Sequence, residues 1–214
     1  MTLTLSLLRK KHRESRKQIL ERLREFEQAS REGDRRLFEE LTFCILAANT
    51  SSKMSAKCVD ALRPVLFTGK PAHMKKKLVG IYRFINLRPA YIYHTRSYLE
   101  KKHGFQLQKL MSSFQDPHEL RDFFALNPNI KGIGYKEASH FLRNIGYKGY
   151  CILDKHILNS LHELGVIAEV KRPANQKQYH GIEEKMKTFC REVKINVDEM
   201  DLLLWSMKTG EILK

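Results

Sequence analysis

The chain has 214 residues, enough to bury a substantial core in one large or two small packed units. Apolar residues make up 42% and charged residues 29%, which is typical of a globular protein and excludes a disordered chain. Lysine and arginine (39) exceed aspartate and glutamate (24), and the resulting net charge of +15 favours nucleic acid as a partner over a surface charged for solubility alone.

Two further features bear on location and cofactors. No apolar run reaches the roughly 18 residues of a transmembrane helix, and the stretch MTLTLSLLRKKHRES has its charges after its apolar patch, the reverse of a signal peptide. The cysteines (Cys44, Cys58, Cys151 and Cys190) are far apart and form no C-x-x-C pair. We therefore expect a cytoplasmic protein with buried reduced thiols, no membrane partner, no metal and no cofactor.

Apolar residues recur with helical spacing almost everywhere, and no convincing stretch alternates with the period of a half-buried strand, so we predict an all-α protein. A first helix carries an apolar stripe ending near Phe26, and Asp34 is the expected N-cap of the second. Ser51 or Ser52 can cap a third helix. The spacing within residues 78–85 predicts another.

Two helices flank a G-x-G turn. Asp116, followed by Pro117, is the predicted cap of a helix that should end at Asn127 before a proline. KGIGYK then forms the turn, a second helix follows, and the hairpin spans residues 127–146. Further helices follow, the last beginning near Asn196.

The G-x-G turn has three interpretations. A Rossmann phosphate loop is disfavoured because no buried strand precedes the glycines. The backbone near Gly132 and Gly134 can hold a DNA phosphate, helped by the positive end of the second helix and by Lys131, Lys136 and Arg143. The alternative is a purely structural corner between two helices.

The run KGIGYKEASHFLRNIGY followed by ILDKHI resembles the helix-hairpin-helix DNA glycosylase superfamily. Within it, the sequence is most similar to the archaeal-type 8-oxoguanine DNA glycosylase/AP lyases, which also occur in some bacteria. The similarity includes CILAAN, YRFINLRPAYI and the terminal TGEILK, and it covers most of the chain from about Phe38 onward.

The resemblance implies a catalytic lysine and aspartate. Lys136 matches the family lysine, which attacks C1′ of the damaged nucleotide and forms a Schiff base. Its amine must be neutral to attack, and we expect the helix start, neighbouring cations and burial to lower its pKa. Lys131 is the better phosphate contact. Asp154 matches the family aspartate, which stabilises charge on the sugar, although a plain N-cap is the commoner task of such a residue.

The remaining site residues follow from the same resemblance. Asn49 matches the residue inserted into the vacated base stack, although asparagine at a turn is ordinarily a turn residue. Phe84 and Trp205 match aromatic residues near the base pocket, with core packing as the alternative. The terminal Lys214 matches a residue that approaches the oxidised base, and its carboxylate could accept the N7–H that distinguishes 8-oxoguanine from guanine.

The implied architecture is two helical subdomains with the hairpin at a DNA-binding cleft. Residues 34–150 would form the central, barrel-like subdomain, and residues 1–33 with 151–214 the second. The implied function is a bifunctional, monomeric glycosylase/AP lyase, associated with the nucleoid of a prokaryotic cell, that flips and excises 8-oxoguanine from duplex DNA and cleaves the strand by β-elimination. The implied substrates also include duplex DNA with an abasic site. The alternatives are an endonuclease III-like glycosylase for oxidised pyrimidines and a non-catalytic DNA-binding module.

Overall fold

The computed structural model describes residues 3–212, and within this range it contains eleven α-helices and no β-strand, which confirms the all-α prediction. Among these residues, no helix combines the length and the apolar character needed to cross a membrane. In chain order the helices are α1 (Leu5–Ala29), α2 (Asp34–Ala47), α3 (Ser52–Leu62), α4 (Pro71–Leu78), α5 (Arg88–His103), α6 (Leu107–Ser112), α7 (Pro117–Leu126), α8 (Tyr135–Asn144), α9 (Lys155–Glu163), α10 (Gln176–Val193) and α11 (Val197–Thr209).

The chain divides into two compact units. The hairpin unit comprises residues 29–141, and the two-segment unit comprises residues 1–28 with residues 142–214. The sequence placed these boundaries later, at residues 33/34 and 150/151. The second boundary is earlier because the segment after α8 bonds to the two-segment unit: the N–H of Gly149 donates to Asp198 Oδ1 at 2.9 Å.

The core of the hairpin unit forms around α2. This helix buries apolar side chains around most of its circumference, as a central helix does. Phe38 packs its ring against Phe105 at 5.4 Å between centroids, and Phe124 packs against Phe141 at 4.8 Å. The second of these contacts joins α7 to α8, so the two helices that flank the G-x-G turn share one apolar interface.

Helix caps show how local chemistry shapes the chain. Ser51 accepts a hydrogen bond from the N–H of Met54 at 3.3 Å, which confirms the predicted cap of α3. Asp34 is not the N-cap of α2, because that helix begins at Asp34 itself. Its carboxylate instead accepts from the N–H of Gln108 at 2.7 Å, in the first turn of α6. The side chain therefore serves a helix end far along the chain.

The helix predicted across residues 78–85 is wrong. Helix α4 ends at Leu78, and the chain then continues through turns to α5. Gly80 has a φ of 74°, which breaks the helical path. The Tyr82 hydroxyl donates to the carbonyl of Leu46 at 2.8 Å, which fixes this turn region against the end of α2.

The two-segment unit is joined by ion pairs between its two parts. Glu199 on α11 accepts from Arg16 Nε at 3.1 Å and lies 2.7 Å from His12 Nε2, both on α1. Glu163 on α9 binds the N–H of Leu3 at 3.1 Å and Lys208 Nζ at 2.6 Å. Helices α9 and α10 both pack against α11.

The hairpin has the predicted helix–turn–helix form. Asp116 accepts from the N–H of His118 at 2.8 Å, and α7 ends at Leu126, one residue before Asn127. Residues 127–134 form the turn, and α8 begins at Tyr135.

Two glycines after α8 allow a matched test of packing. An added Cβ at Gly146 (φ 85°) would lie 2.7 Å from the Glu27 Cα, whereas Gly149 (φ 82°) has open space there. Both alanine substitutions incur the left-handed penalty of about 1–2 kcal/mol. We expect Gly146→Ala to lower the free energy of unfolding by about 1–3 kcal/mol more than Gly149→Ala does, because the backbone at Glu27 must move to make room for the added methyl group. Chemical denaturation of both variants measures this, and equal losses would contradict the packing argument.

Candidate active site

Lys136 lies in the first turn of α8. The helix begins at Tyr135, and the carbonyl of Gly134 already accepts from the N–H of Ala138 at 2.8 Å. The Lys136 side chain is 28% exposed, and its Nζ lies 3.8 Å from Glu137 Oε1. The amine is therefore partly shielded and has a neighbouring carboxylate that the sequence analysis did not consider.

The start of α8 is held by its first side chain. The Tyr135 hydroxyl donates to Asp122 Oδ1 on α7 at 2.6 Å. Burial raises the pKa of the Tyr135 hydroxyl, and the hydrogen bond to Asp122 raises it further, so the group remains a donor at neutral pH. This bond fixes the residue next to Lys136.

The two turn glycines differ in what the protein requires of them. Gly132 has a φ of 77°, and an added Cβ would lie 2.7 Å from side-chain atoms of Arg88 and Tyr91, so both conformation and packing demand glycine. At Gly134 an added Cβ would meet only Glu137 Oε2, at 3.5 Å, which is ordinary contact. Neither packing nor backbone conformation therefore requires a glycine at position 134.

Lys131 has its backbone and its side chain in different roles. Its N–H donates to Thr95 Oγ1 at 2.9 Å, which fixes the start of the turn against α5. Its side chain is partly exposed. Only the side chain is thus a candidate for binding a phosphate.

A series of contacts within the hairpin unit connects Asn49 with Phe84. Asn49 is exposed at the turn between α2 and α3 with a φ of 62°. Its carbonyl accepts from the Arg83 guanidinium, which stacks 4.5 Å from the Phe84 ring centroid. Arg88 lies 5.9 Å from the same ring and donates to the carbonyl of Gly132 at 3.5 Å. Two arginines therefore link the predicted plug and pocket residues to the hairpin turn.

Arg143 does not suit the predicted DNA contact. It is 5% exposed, its guanidinium lies 4.7 Å from the Phe26 ring centroid, and it is 3.9 Å from Asp201 Oδ2. A cation buried against an aromatic ring and a carboxylate cannot reach a phosphate without leaving both. Arg143 is therefore a structural cation of the two-segment unit.

Asp154 and Trp205 lie in the two-segment unit. Asp154 is the N-cap of α9, and its Oδ1 accepts from the N–H of Ile157 at 2.8 Å, so the capping interpretation is confirmed. Trp205 follows the buried Leu202–Leu204 stretch of α11 but is itself only partly buried. The predicted base-pocket residue Lys214 lies outside the described residues.

The cysteines are all free and buried, as expected. Burial raises the pKa of the Cys58 thiol to about 11 and that of Cys190 to about 12. These thiols are protonated at neutral pH, and a protonated thiol is a poor nucleophile. Within residues 3–212, no cluster of three or more His, Cys, Asp or Glu side chains is arranged to hold a metal ion.

A family model for 8-oxoguanine DNA glycosylase matches residues 19–195. The chain belongs to this family. It is 37% identical over 209 residues to an 8-oxoguanine DNA glycosylase/AP lyase of Korarchaeum cryptofilum, covering 97% of this chain and 96% of that protein. It is 36% identical over 211 residues to one of Fusobacterium nucleatum, covering 97% and 96%.

The crystal structure of the Methanocaldococcus jannaschii 8-oxoguanine glycosylase/lyase, in complex with 15mer DNA containing 8-oxoguanine, superposes with a TM-score of 0.87 at 32% identity, covering 98% of this chain and 100% of that one. Together these matches favour the 8-oxoguanine family over an endonuclease III-like enzyme or a non-catalytic hairpin module.

Three residues of this site escaped the sequence analysis: Arg83, Arg88 and Glu137. Both arginines lie inside the quoted YRFINLRPAYI motif, so their segment was recognised without their contacts. The pairing of Arg83 with Asn49 joins residues 34 positions apart and has no local pattern.

One buried carboxyl group near Asp154 makes stability depend on pH. The pKa of Asp201 is raised to about 7, chiefly by burial and also by the charge of Asp154, although Arg143 lowers it. In the unfolded chain an aspartate has a pKa of about 3.9. Between these values the folded protein keeps a proton that the unfolded chain has lost, so stability falls as pH rises.

We expect Asp201→Asn to remove this decline. As the pH rises from about 5 to about 8, the unfolding free energy of the variant minus that of wild type should increase by on the order of 3 kcal/mol. Urea denaturation at several pH values measures the difference. The matched control is Asp60→Asn, because the Asp60 side chain is 63% exposed. For this variant, the difference in unfolding free energy from wild type should stay constant over the same pH range. A constant difference for Asp201→Asn would contradict the assignment.

Proposed function

We propose that this protein is a bifunctional DNA glycosylase and AP lyase that excises 8-oxoguanine from duplex DNA through a Schiff base on Lys136. The observation that carries the proposal is the place of Lys136, at the first turn of α8 directly after the G-x-G turn, in a chain that belongs to the 8-oxoguanine DNA glycosylase family. Named relatives carry both activities in their names.

The hairpin turn holds the DNA backbone. Glycine at position 134 is not required for folding, and the lack of a side chain there leaves room for a phosphate beside the N-terminal end of α8. The Lys131 side chain adds a cation to the same turn. These contacts neutralise phosphate charge without reading bases, so they position the enzyme and do not select the lesion.

Lesion recognition requires the damaged base to leave the stack. Asn49 is exposed on a turn that Arg83 holds, so it can enter the vacated space as a fixed plug. Phe84 and Trp205 are each only partly buried, which leaves ring surface for stacking on a base. The role of Lys214 in reading the base stays a prediction.

Lys136 performs the nucleophilic step. The Nζ lone pair attacks C1′, the bond from C1′ to the base nitrogen breaks, and the base leaves with a proton. The C1′–O4′ bond then opens, and loss of the amine protons gives an imine between Nζ and C1′. Removal of a C2′ proton forms a double bond between C2′ and C3′ and expels the 3′ phosphate. Water hydrolyses the imine and frees the lysine.

Asp154 supports this step electrostatically. Its carboxylate is partly exposed at the N-terminal end of α9, where it accepts the hydrogen bond from the N–H of Ile157 and lies at the positive end of the helix dipole. A carboxylate facing the sugar stabilises positive charge that develops at C1′ as the base departs. The N-cap and catalytic roles use the same charge and are compatible.

The cellular setting follows from the substrate. Duplex DNA with 8-oxoguanine or an abasic site is the partner, and we place the monomeric enzyme in the cytoplasm of a prokaryotic cell, at the nucleoid. No cofactor takes part in the proposed reaction, because the lysine supplies the nucleophile.

Borohydride trapping separates the two lysines of the turn. We expect Lys136→Gln to abolish the covalent adduct with 8-oxoguanine duplex and with abasic duplex, since no other amine forms the imine. Lys131→Gln should keep the adduct and weaken DNA binding, most at low salt. Gel analysis after reduction measures the adduct, and an adduct that persists in Lys136→Gln would overturn the proposal.

Asp154→Asn separates capping from catalysis. Asparagine caps helices about as well as aspartate, so unfolding free energy should change by less than about 0.5 kcal/mol. The single-turnover excision rate should fall by about 10²- to 10⁴-fold, because the charge is lost. Asp116→Asn, at the N-cap of α7, is the matched control and should leave the rate unchanged. A wild-type rate in Asp154→Asn would leave Asp154 as a cap alone.

A further inference from the structure

The segment just before Asp154 is buried yet belongs to no helix. Residues 149–153 form part of the connection between α8 and α9, and the side chains of Cys151, Ile152 and Leu153 are almost completely buried. A backbone N–H in such a place must find a partner, because leaving it unpaired costs free energy comparable to a lost hydrogen bond. Helices elsewhere meet this need internally, but an extended segment cannot.

Buried carboxylates from α10 and α11 supply the partners. Glu183 Oε1 accepts from the N–H of Cys151 at 3.0 Å, and Asp201 Oδ1 accepts from the N–H of Ile152 at 3.3 Å. Glu183 is 1% exposed and Asp201 is 3% exposed. Two acidic side chains thus hold two consecutive peptide groups of the segment.

Tyr179 on α10 completes the set. Its hydroxyl donates to the carbonyl of Cys151 at 2.7 Å and accepts from the N–H of Leu153 at 3.2 Å. The N–H of Asp154 then donates to the carbonyl of Ile152 at 2.7 Å. Hydrogen bonds therefore run without a break from the two helices, through the segment, to the backbone of Asp154.

Two of these three partners are acidic side chains in a buried environment. A neutral side chain could accept the same N–H, whereas a buried carboxylate must be compensated. Each has a basic neighbour: Lys187 Nζ lies 3.7 Å from Glu183 Oε2, and Arg143 lies 3.9 Å from Asp201 Oδ2. Asp198 and Asp154 add further negative charge facing Asp201. Hydrogen bonds from side chains that are themselves fixed by packing are the means by which proteins hold a functional residue in one geometry.

We propose that Tyr179, Glu183 and Asp201 are positioning residues that hold the segment 149–153 so that Asp154 presents its carboxylate in one fixed orientation. The proposal rests on the proposed function, in which Asp154 acts on the sugar. None of the three touches the substrate. Each acts through Asp154, so its effect on excision depends on the Asp154 carboxylate.

A double-mutant cycle tests this dependence. Tyr179→Phe and Asp201→Ala are each made in the full chain, alone and combined with Asp154→Asn, and excision of 8-oxoguanine from duplex DNA is measured under single-turnover conditions with enzyme in excess. A misplacement of about 1 Å can cost about 100-fold in rate. We therefore expect each single variant to lose about 10- to 100-fold, and to lose less than about 2-fold further in the Asp154→Asn background.

The controls separate positioning from folding. Tyr147→Phe removes the hydroxyl of a partly buried tyrosine in the same unit and should keep the wild-type rate. Asp201→Asn keeps an acceptor oxygen and should restore most of the rate lost in Asp201→Ala. If Asp201→Ala does not fold, Tyr179→Phe, which leaves no unpaired charge, carries the cycle alone.

Three results would contradict the positioning proposal. Equal losses with and without the Asp154 carboxylate would show a general structural role and overturn the positioning proposal alone. An unchanged rate in Tyr179→Phe would also overturn it. A wild-type rate in Asp154→Asn itself would overturn the catalytic role of Asp154, and the positioning proposal with it.

Discussion

Lys136, Asn49 and Asp154 each lie beside a helix end, and the structure depends on how polar groups at helix ends and in the connections find partners. In an all-α chain the helix interiors satisfy their own N–H and C=O groups, whereas the ends and connections do not. Side chains meet the need: Arg83 binds the carbonyl of Asn49, Glu183 binds the N–H of Cys151, and Asp154 binds the N–H of Ile157. At Asn49 and around Asp154, the bonds that satisfy the backbone thus also fix the segments that carry the candidate residues, whereas beside Lys136 a bond between two side chains, Tyr135 and Asp122, has this role.

Charge in this molecule serves two purposes that composition alone does not separate. The excess of +15 suggests a surface for polyanions. Several arginines are nevertheless buried and stabilise the interior. Arg96 donates to the carbonyls of Leu66 and Gly69 at 2.5 Å and 3.0 Å, and Arg143 lies between Phe26 and Asp201. A guanidinium suits this task because it offers several donors in a fixed plane. Only the exposed part of the basic charge is therefore available to DNA.

Local signals predicted local structure well. The caps at Ser51, Asp116 and Asp154 were recognised because an N-cap requires a short polar side chain next to the N–H groups it binds. The turn between α7 and α8 followed from two glycines with one residue between them. The prediction failed at residues 78–85, where helical spacing was present but Gly80 and the bond from Tyr82 to Leu46 impose turns.

The sequence by itself determined the all-α class, the hairpin, the order of Lys136 and Asp154 along the chain and the family they belong to. Those features depend on residue types within a few positions of each other. Tertiary structure decided which charges are buried: it placed Arg143 against Phe26 and gave Asp34 to α6 instead of α2. It also brought α10 and α11 against the segment before Asp154, with 49 positions between Ile152 and Asp201. Burial and partnership across such distances are set by packing, which no local pattern encodes.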